Sequence, residues 1–133
     1  MAIKLIQYGH EDDIREAGEV RRELDREVRH QSLLEHERIV KILDYEPMTT
    51  LPGVRRKIGA IVTELVQRGT LNDYLGAGRI SESVTRFYAK QLLSALSHMH
   101  SRGVCHLDLK PANILIDWSF GLKVADFGLS SLI

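Results

Sequence analysis

An α+β domain is the fold class the sequence predicts, and three observations predict it. Strand-like apolar runs at 1–8, 38–46 and 58–66 gather in the first half around one charged helix. A single long helical pattern fills 80–103. Two short apolar segments after it flank a turn. Strands grouped in one part and a helix with a hairpin in the other do not alternate as a parallel βαβ sheet does.

The bounds are those of an ordinary globular chain. With 133 residues, 44% hydrophobic and 27% charged, it has the length and composition for one domain with a real core. Lys and Arg number 18 and Asp and Glu number 18, so no net field draws the chain to nucleic acid or to anionic lipid, and neither is an expected partner. Cys105 is the lone cysteine, with no zinc-like spacing around it, which fits a reducing compartment. The opening residues meet Glu11, Asp12 and Asp13 too soon for a signal peptide, and no apolar run approaches membrane-spanning length. The cytoplasm, or the nucleus, is the expected location.

The elements follow in order. "MAIKLIQY" is brief and isoleucine-rich, hence a strand, with Lys4 as its one charge. From Asp12 to Leu34 the chain lacks proline, is rich in Glu and Arg, and repeats Val20, Leu24 and Val28 every four residues, which makes a charged amphipathic helix weakened early by Gly18. "RIVKILDYE" (38–46) and "IGAIVTELV" (58–66) are strands, joined by a loop rich in Pro and Gly. "QRGTLNDYLGAG" reads as irregular. In 80–103, Ser81 to Ser83 offer caps, Phe87, Leu92, Leu93, Leu96 and Met99 form an apolar face, and Gly103 ends the helix in a left-handed conformation. "NILID" and "LKVAD" then form a hairpin, with Gly121 in the turn.

Between that helix and the hairpin lies "HLDLKPAN" (106–113). Asp108 and Asn113 are five positions apart in a loop, and Asp126 follows the last hairpin strand, so two carboxylates and an amide converge on one pocket. Such oxygen ligands suit Mg²⁺, which binds few carboxylates and bridges substrate phosphates. Lys110 adds a positive charge. A carboxylate able to accept a hydroxyl proton, a lysine beside it and metal ligands nearby are the parts of phosphoryl transfer.

These residues carry a family resemblance. "HLDLKPAN" resembles the catalytic loop of protein kinases, "DFG" (126–128) their metal-binding triplet, and "MAIK" (1–4) the strand that presents the phosphate-contacting lysine. Order and spacing agree over nearly the whole chain. The resemblance implies a bilobal α+β fold, here incomplete, with residues 1–66 as a small-lobe portion and hinge and 67–133 as the start of the helical large lobe. It implies ATP and Mg²⁺ as cofactors and protein serine or threonine as acceptor, Lys110 resembling the serine/threonine class. Lys4 would contact the nucleotide phosphates and pair with Glu27 of the first helix, Glu23 being the alternative one turn earlier. Thr63 would stand beside the adenine pocket, with backbone groups of Glu64 and Val66 as the hinge. Asp108 would orient or deprotonate the acceptor hydroxyl, Lys110 would steady the transferred phosphoryl group, and Asn113 and Asp126 would hold Mg²⁺.

Three departures shape the expectation. Leu107 stands where the family usually has arginine, and an apolar side chain makes no charge-assisted contact with a phosphorylated loop. The sequence opens at the lysine strand, without the Gly-rich loop, and closes at "DFGLSSLI", before an A-P-E motif. Helix 80–103 and the hairpin are therefore expected to leave apolar patches exposed, for a partner to cover. The chain reads as a truncated kinase, the alternative being a non-catalytic nucleotide-binding or interaction module. Taken singly, Lys4 is an edge-strand guard against aggregation, Glu27 one more solvated charge, and Asp108, Asn113 and Asp126 turn caps. His106 is read as packing beneath the loop, His98 and His100 as residues that share no helix face, Cys105 as a small buried hydrophobe, and "VRRK" (54–57) as a solvated loop.

Overall fold

A computed structural model describes residues 1–8, 14–50, 52, 57–78 and 80–133. Three strands form the first layer: β1 (Ala2–Gln7), β2 (Ile42–Thr50) and β3 (Lys57–Thr63), antiparallel in the order β1-β3-β2. Strand alternation places Lys4 and Ile6 on one face, while Ile3 and Leu5 on the other face are exposed. Helix α1 (Ile14–Ser32) covers the Lys4 face and buries Leu24 against the sheet. Its polar side is solvated, as the charge pattern predicts.

The second layer begins with α2 (Leu71–Gly76), a short helix where irregular chain was expected. Thr70 and Asp73 form a reciprocal capping box there, a signal too local for helical periodicity to reveal. Helix α3 (Glu82–Ser101) follows, capped by Ser81 and closed by Gly103 at φ 69°, as read from the sequence. Its buried residues are Ala95 and Met99, with Tyr88, Leu92 and Leu96 packed beside them. Phe87 and Leu93, expected on the buried face, are instead 48% and 64% exposed, because among the described residues α3 is covered on one side alone. The strand pair β4 (Val104–Cys105) and β7 (Ser131–Leu132) and the hairpin β5 (Ile114–Ile116) with β6 (Leu122–Val124) complete the core. Gly121 lies in the hairpin loop as expected, although the left-handed residue there is Phe120. Cys105 is half-buried rather than buried, since β4 pairs with a two-residue edge strand.

Both boundaries of β2 and the end of β3 differ from expectation. Residues 38–41 leave the first sheet and run beside β6: Ile39 bridges Val124, the Val40 N–H donates to the Val124 carbonyl at 2.9 Å, and the Val124 N–H to the Arg38 carbonyl at 2.8 Å. β2 starts later and continues through Pro47, which falls in an irregularity of an edge strand, where a missing N–H costs little. The Pro47 carbonyl accepts the Tyr8 hydroxyl. β3 stops at Thr63, three residues short of the expected end. The 38–41 segment is the physical link that matters: it ties the C-terminal end of α1 to the strand leading into Asp126. Residues 54–56 of the basic stretch lie outside the described residues, and Lys57 opens β3. Among the described residues, no helix is long and apolar enough to cross a membrane.

Candidate active site

Lys4 lies on the face of β1 that α1 covers, with its side chain still 44% exposed. Its Nζ donates to Glu27 Oε1 at 2.7 Å and to Asp126 Oδ1 at 3.3 Å. Glu27 is a buried residue of α1; Glu23 lines the same small cavity without taking the lysine. Burial alone lowers the Lys4 pKa, but the two carboxylates outweigh it and hold the ammonium above its ordinary range. Lys4 is therefore a fixed positive charge near neutral pH.

Asp126 has φ 60°, a left-handed conformation uncommon for a residue with a side chain. Its Oδ1 also accepts the Gly128 N–H at 3.3 Å. A Cβ at Gly128 would stand 3.2 Å from Asp126 Oδ1 and 3.5 Å from Glu27 Oε2, so glycine there lets both carboxylates close on the lysine. Phe127 is fully buried, its ring edge-on to His106 at 4.8 Å between centroids.

The 106–113 loop leaves β4 through His106, which acts as the packing residue foreseen for it. Its Nε2–H donates to the Ala125 carbonyl at 2.9 Å and its Nδ1 accepts the Asp108 N–H at 3.2 Å. Leu107 turns the chain at φ 63°. Lys110 Nζ lies 2.9 Å from Asp108 Oδ2, and Asn113 Nδ2 donates to the same oxygen at 3.0 Å and to the Asp108 carbonyl at 2.9 Å. The Lys110 hydrogen bond, assisted by that of Asn113, holds the Asp108 carboxyl below the ordinary carboxylate range despite its partial desolvation. A 3₁₀ turn, Pro111–Asn113, fixes Asn113, whose carbonyl accepts the Ala125 N–H at 2.9 Å. That bond sets Asn113 beside Asp126.

The donor chemistry fits Mg²⁺. Both amide hydrogen bonds of Asn113 go through its nitrogen, leaving the amide oxygen, and Asp126 offers a partly exposed carboxylate. Two hard oxygen ligands, with phosphates and water completing the shell, are what Mg²⁺ usually takes from a protein. Among the described residues, no group of three His, Cys, Asp or Glu side chains is placed to hold a metal by itself.

At the junction of the two layers, the Glu64 N–H donates to the Lys41 carbonyl at 3.0 Å, and its carboxylate takes Lys123 Nζ and the Lys41 N–H, each at 2.9 Å. The Thr63 hydroxyl donates to the Glu64 carbonyl at 3.1 Å. What this segment can offer a planar heterocycle is that carbonyl and the backbone of Val66. Three residues here escaped sequence reading. Arg26 donates to the Gly128 carbonyl at 3.3 Å, His30 Nδ1 meets Ser130 Oγ at 2.8 Å, and Gln31 donates to the Val40 carbonyl at 2.7 Å. Arg26 is exposed, whereas His30 and Gln31 are buried, and nothing in the charged run around them marks them so.

His30 and His36 both have pKa values below the ordinary histidine value, chiefly because burial disfavours the imidazolium, with neighbouring cationic groups adding to it. The unfolded chain therefore binds protons that the folded chain refuses. Their contribution is complete above about pH 6.5 and is lost as pH falls toward the depressed values. Urea unfolding at pH 7.5 and 5.5 is expected to give lower stability at pH 5.5, and His36→Gln is expected to flatten that slope. An unchanged midpoint would contradict it.

The arrangement is one ammonium between two carboxylates, a third carboxylate held by a lysine and an amide, and oxygen ligands between them. The family model for the protein kinase domain matches residues 1–133, and the chain belongs to the protein kinase family. CBL-interacting serine/threonine-protein kinase 21 of Arabidopsis thaliana is 43% identical over 110 residues, which cover 83% of this chain and 25% of that protein. Putative CBL-interacting protein kinase 27 of Oryza sativa subsp. japonica is 39% identical over 133 residues, 99% of this chain and 30% of that protein. The chain thus spans about a quarter of the length of the curated relatives it matches.

Proposed function

We propose that these residues serve transfer of the γ-phosphoryl group of ATP to serine or threonine hydroxyls of a protein substrate. The observation that carries the reading is the position of Lys4, which reaches Glu27 and Asp126 at once. In that place its ammonium meets the α- and β-phosphates while α1 and the 126–128 turn stay fixed around it. Thr63, the Glu64 carbonyl and the Val66 backbone take the adenine edge. Asn113 and Asp126 would hold Mg²⁺, which when bound would neutralise phosphate charge.

Asp108 accepts a hydrogen bond from the substrate hydroxyl and aims its oxygen at the γ-phosphorus. As the new P–O bond forms and the bond to the β-phosphate oxygen breaks, ADP leaves and the hydroxyl proton passes to Asp108. Because its pKa is held low, Asp108 is ionised beforehand and a weak base, so its work is orientation with late proton uptake. Lys110 moves from Asp108 to the transferred group, where charge is greatest.

A second reading, a non-catalytic interaction module, has its own support. Phe87 and Leu93 on α3 and Leu129, Leu132 and Ile133 beyond Asp126 are exposed apolar side chains that suit a covering partner. Calorimetry with ATP, with and without Mg²⁺, separates the two readings. Tight Mg²⁺-dependent binding is expected, weakened about tenfold or more, a loss of about 1.4 kcal/mol, by Asp126→Ala. A folded chain that binds no nucleotide would favour the interaction module.

A further inference from the structure

We propose that His30 is a positioning residue for the turn that carries Asp126. The hydrogen bonds fix its role. Ser130 Oγ donates to the Phe127 carbonyl at 2.5 Å, and the Ser130 N–H reaches the same carbonyl at 3.0 Å. With its only proton committed there, Ser130 Oγ is an acceptor towards His30, so His30 carries its proton on Nδ1 and donates it across 2.8 Å. His30 and Ser130 are 5% and 2% exposed, so water does not replace the bond if it is lost.

The consequence reaches Asp126 through the turn. A left-handed residue with a side chain persists only where its surroundings over-determine it. Phe127 is held on both sides, its ring against His106 and its carbonyl under Ser130, and His30 anchors that second hold to α1. Arg26, one helical turn before His30, reaches the Gly128 carbonyl at the outer edge. The helix that supplies Glu27 to Lys4 thereby also fixes the orientation of the Asp126 carboxylate. This inference rests on the reading of Asp126 as a metal ligand.

The test compares three substitutions in the 133-residue chain. In asparagine, the amide nitrogen occupies the place of His Nδ1; in glutamine it occupies that of Nε2; leucine offers neither. His30→Leu and His30→Gln are expected to speed amide exchange at Gly128 and Ser130 about tenfold more than at Ala95 and Met99, the effect of one buried hydrogen bond. They are also expected to lower the affinity gained from Mg²⁺ about tenfold, while Mg²⁺-free nucleotide binding changes little. His30→Asn restores both, and the losses from His30→Leu and Ser130→Ala are less than additive when the two are combined. Uniform acceleration of exchange, equal rescue by asparagine and glutamine, or an intact Mg²⁺ gain in His30→Leu would each overturn the proposal. If the unaltered chain shows no Mg²⁺ gain, the nucleotide reading itself fails, and the exchange measurements alone decide whether His30 holds the turn.

Discussion

Asp108→Asn is expected to lower phosphoryl transfer to serine by about 10²- to 10⁴-fold, the usual contribution of a positioned acid or base. The fold should barely register the change. The carboxylate accepts from Asn113 and Lys110, and an asparagine amide oxygen accepts from both in the same place, losing only its charge. The solvent-screened pair with Lys110 contributes little to stability. ATP affinity should also survive, since the proposed mechanism sets Asp108 against the acceptor hydroxyl and not against the nucleotide phosphates. The discriminating result is a variant with unaltered melting and nucleotide binding and almost no transfer; retention of full transfer would remove Asp108 from the mechanism.

Lys4→Ala is the second large effect, and it acts on binding and stability together. Removing the ammonium leaves the buried Glu27 carboxylate without its 2.7 Å partner, at a cost of about 1–3 kcal/mol for an unsatisfied polar group. It also removes the charge proposed to meet the phosphates. The two consequences separate in a double variant. Lys4→Met with Glu27→Gln supplies an apolar stem and a neutral amide, so stability should largely return while Mg²⁺-dependent ATP binding stays lost. If binding returns with stability, Lys4 is a structural ion-pair residue and the phosphate assignment is wrong. Calorimetry and chemical unfolding on the same samples make the comparison.

The candidate site was legible because its residues stand in short, ordered motifs. Asp108, Lys110 and Asn113 come from one loop, Asp126 from a strand end, and the choice of Glu27 over Glu23 agrees with the geometry at Lys4. The long helix and the hairpin were legible from periodicity and from Gly103. What escaped depends on neighbours distant in sequence. Nothing in "RIVKIL" says that 38–41 will leave the first sheet for β6, because that choice is made by Val124. Phe87 and Leu93 fit an apolar stripe, and only the absence of a second covering layer among the described residues leaves them in solvent. His30 looks like one more polar residue in a charged run until Ser130, a hundred positions on, is placed beside it.

The separation of Lys4 from Asp126, 122 positions, bears on how the chain acquires its site. Hairpin β5–β6 and helix α3 close through near neighbours, whereas contacts at this range must first meet the entropy of joining remote segments. The proposed nucleotide pocket is therefore expected to form late during folding and to open early when the chain is stressed. A nucleotide that binds only the finished state then acts as a folding ligand, adding about 2.7 kcal/mol at a hundred times its Kd. Cells rich in such a ligand would hold more of this chain intact, and a nick near either residue would silence the site while strands and helices persist.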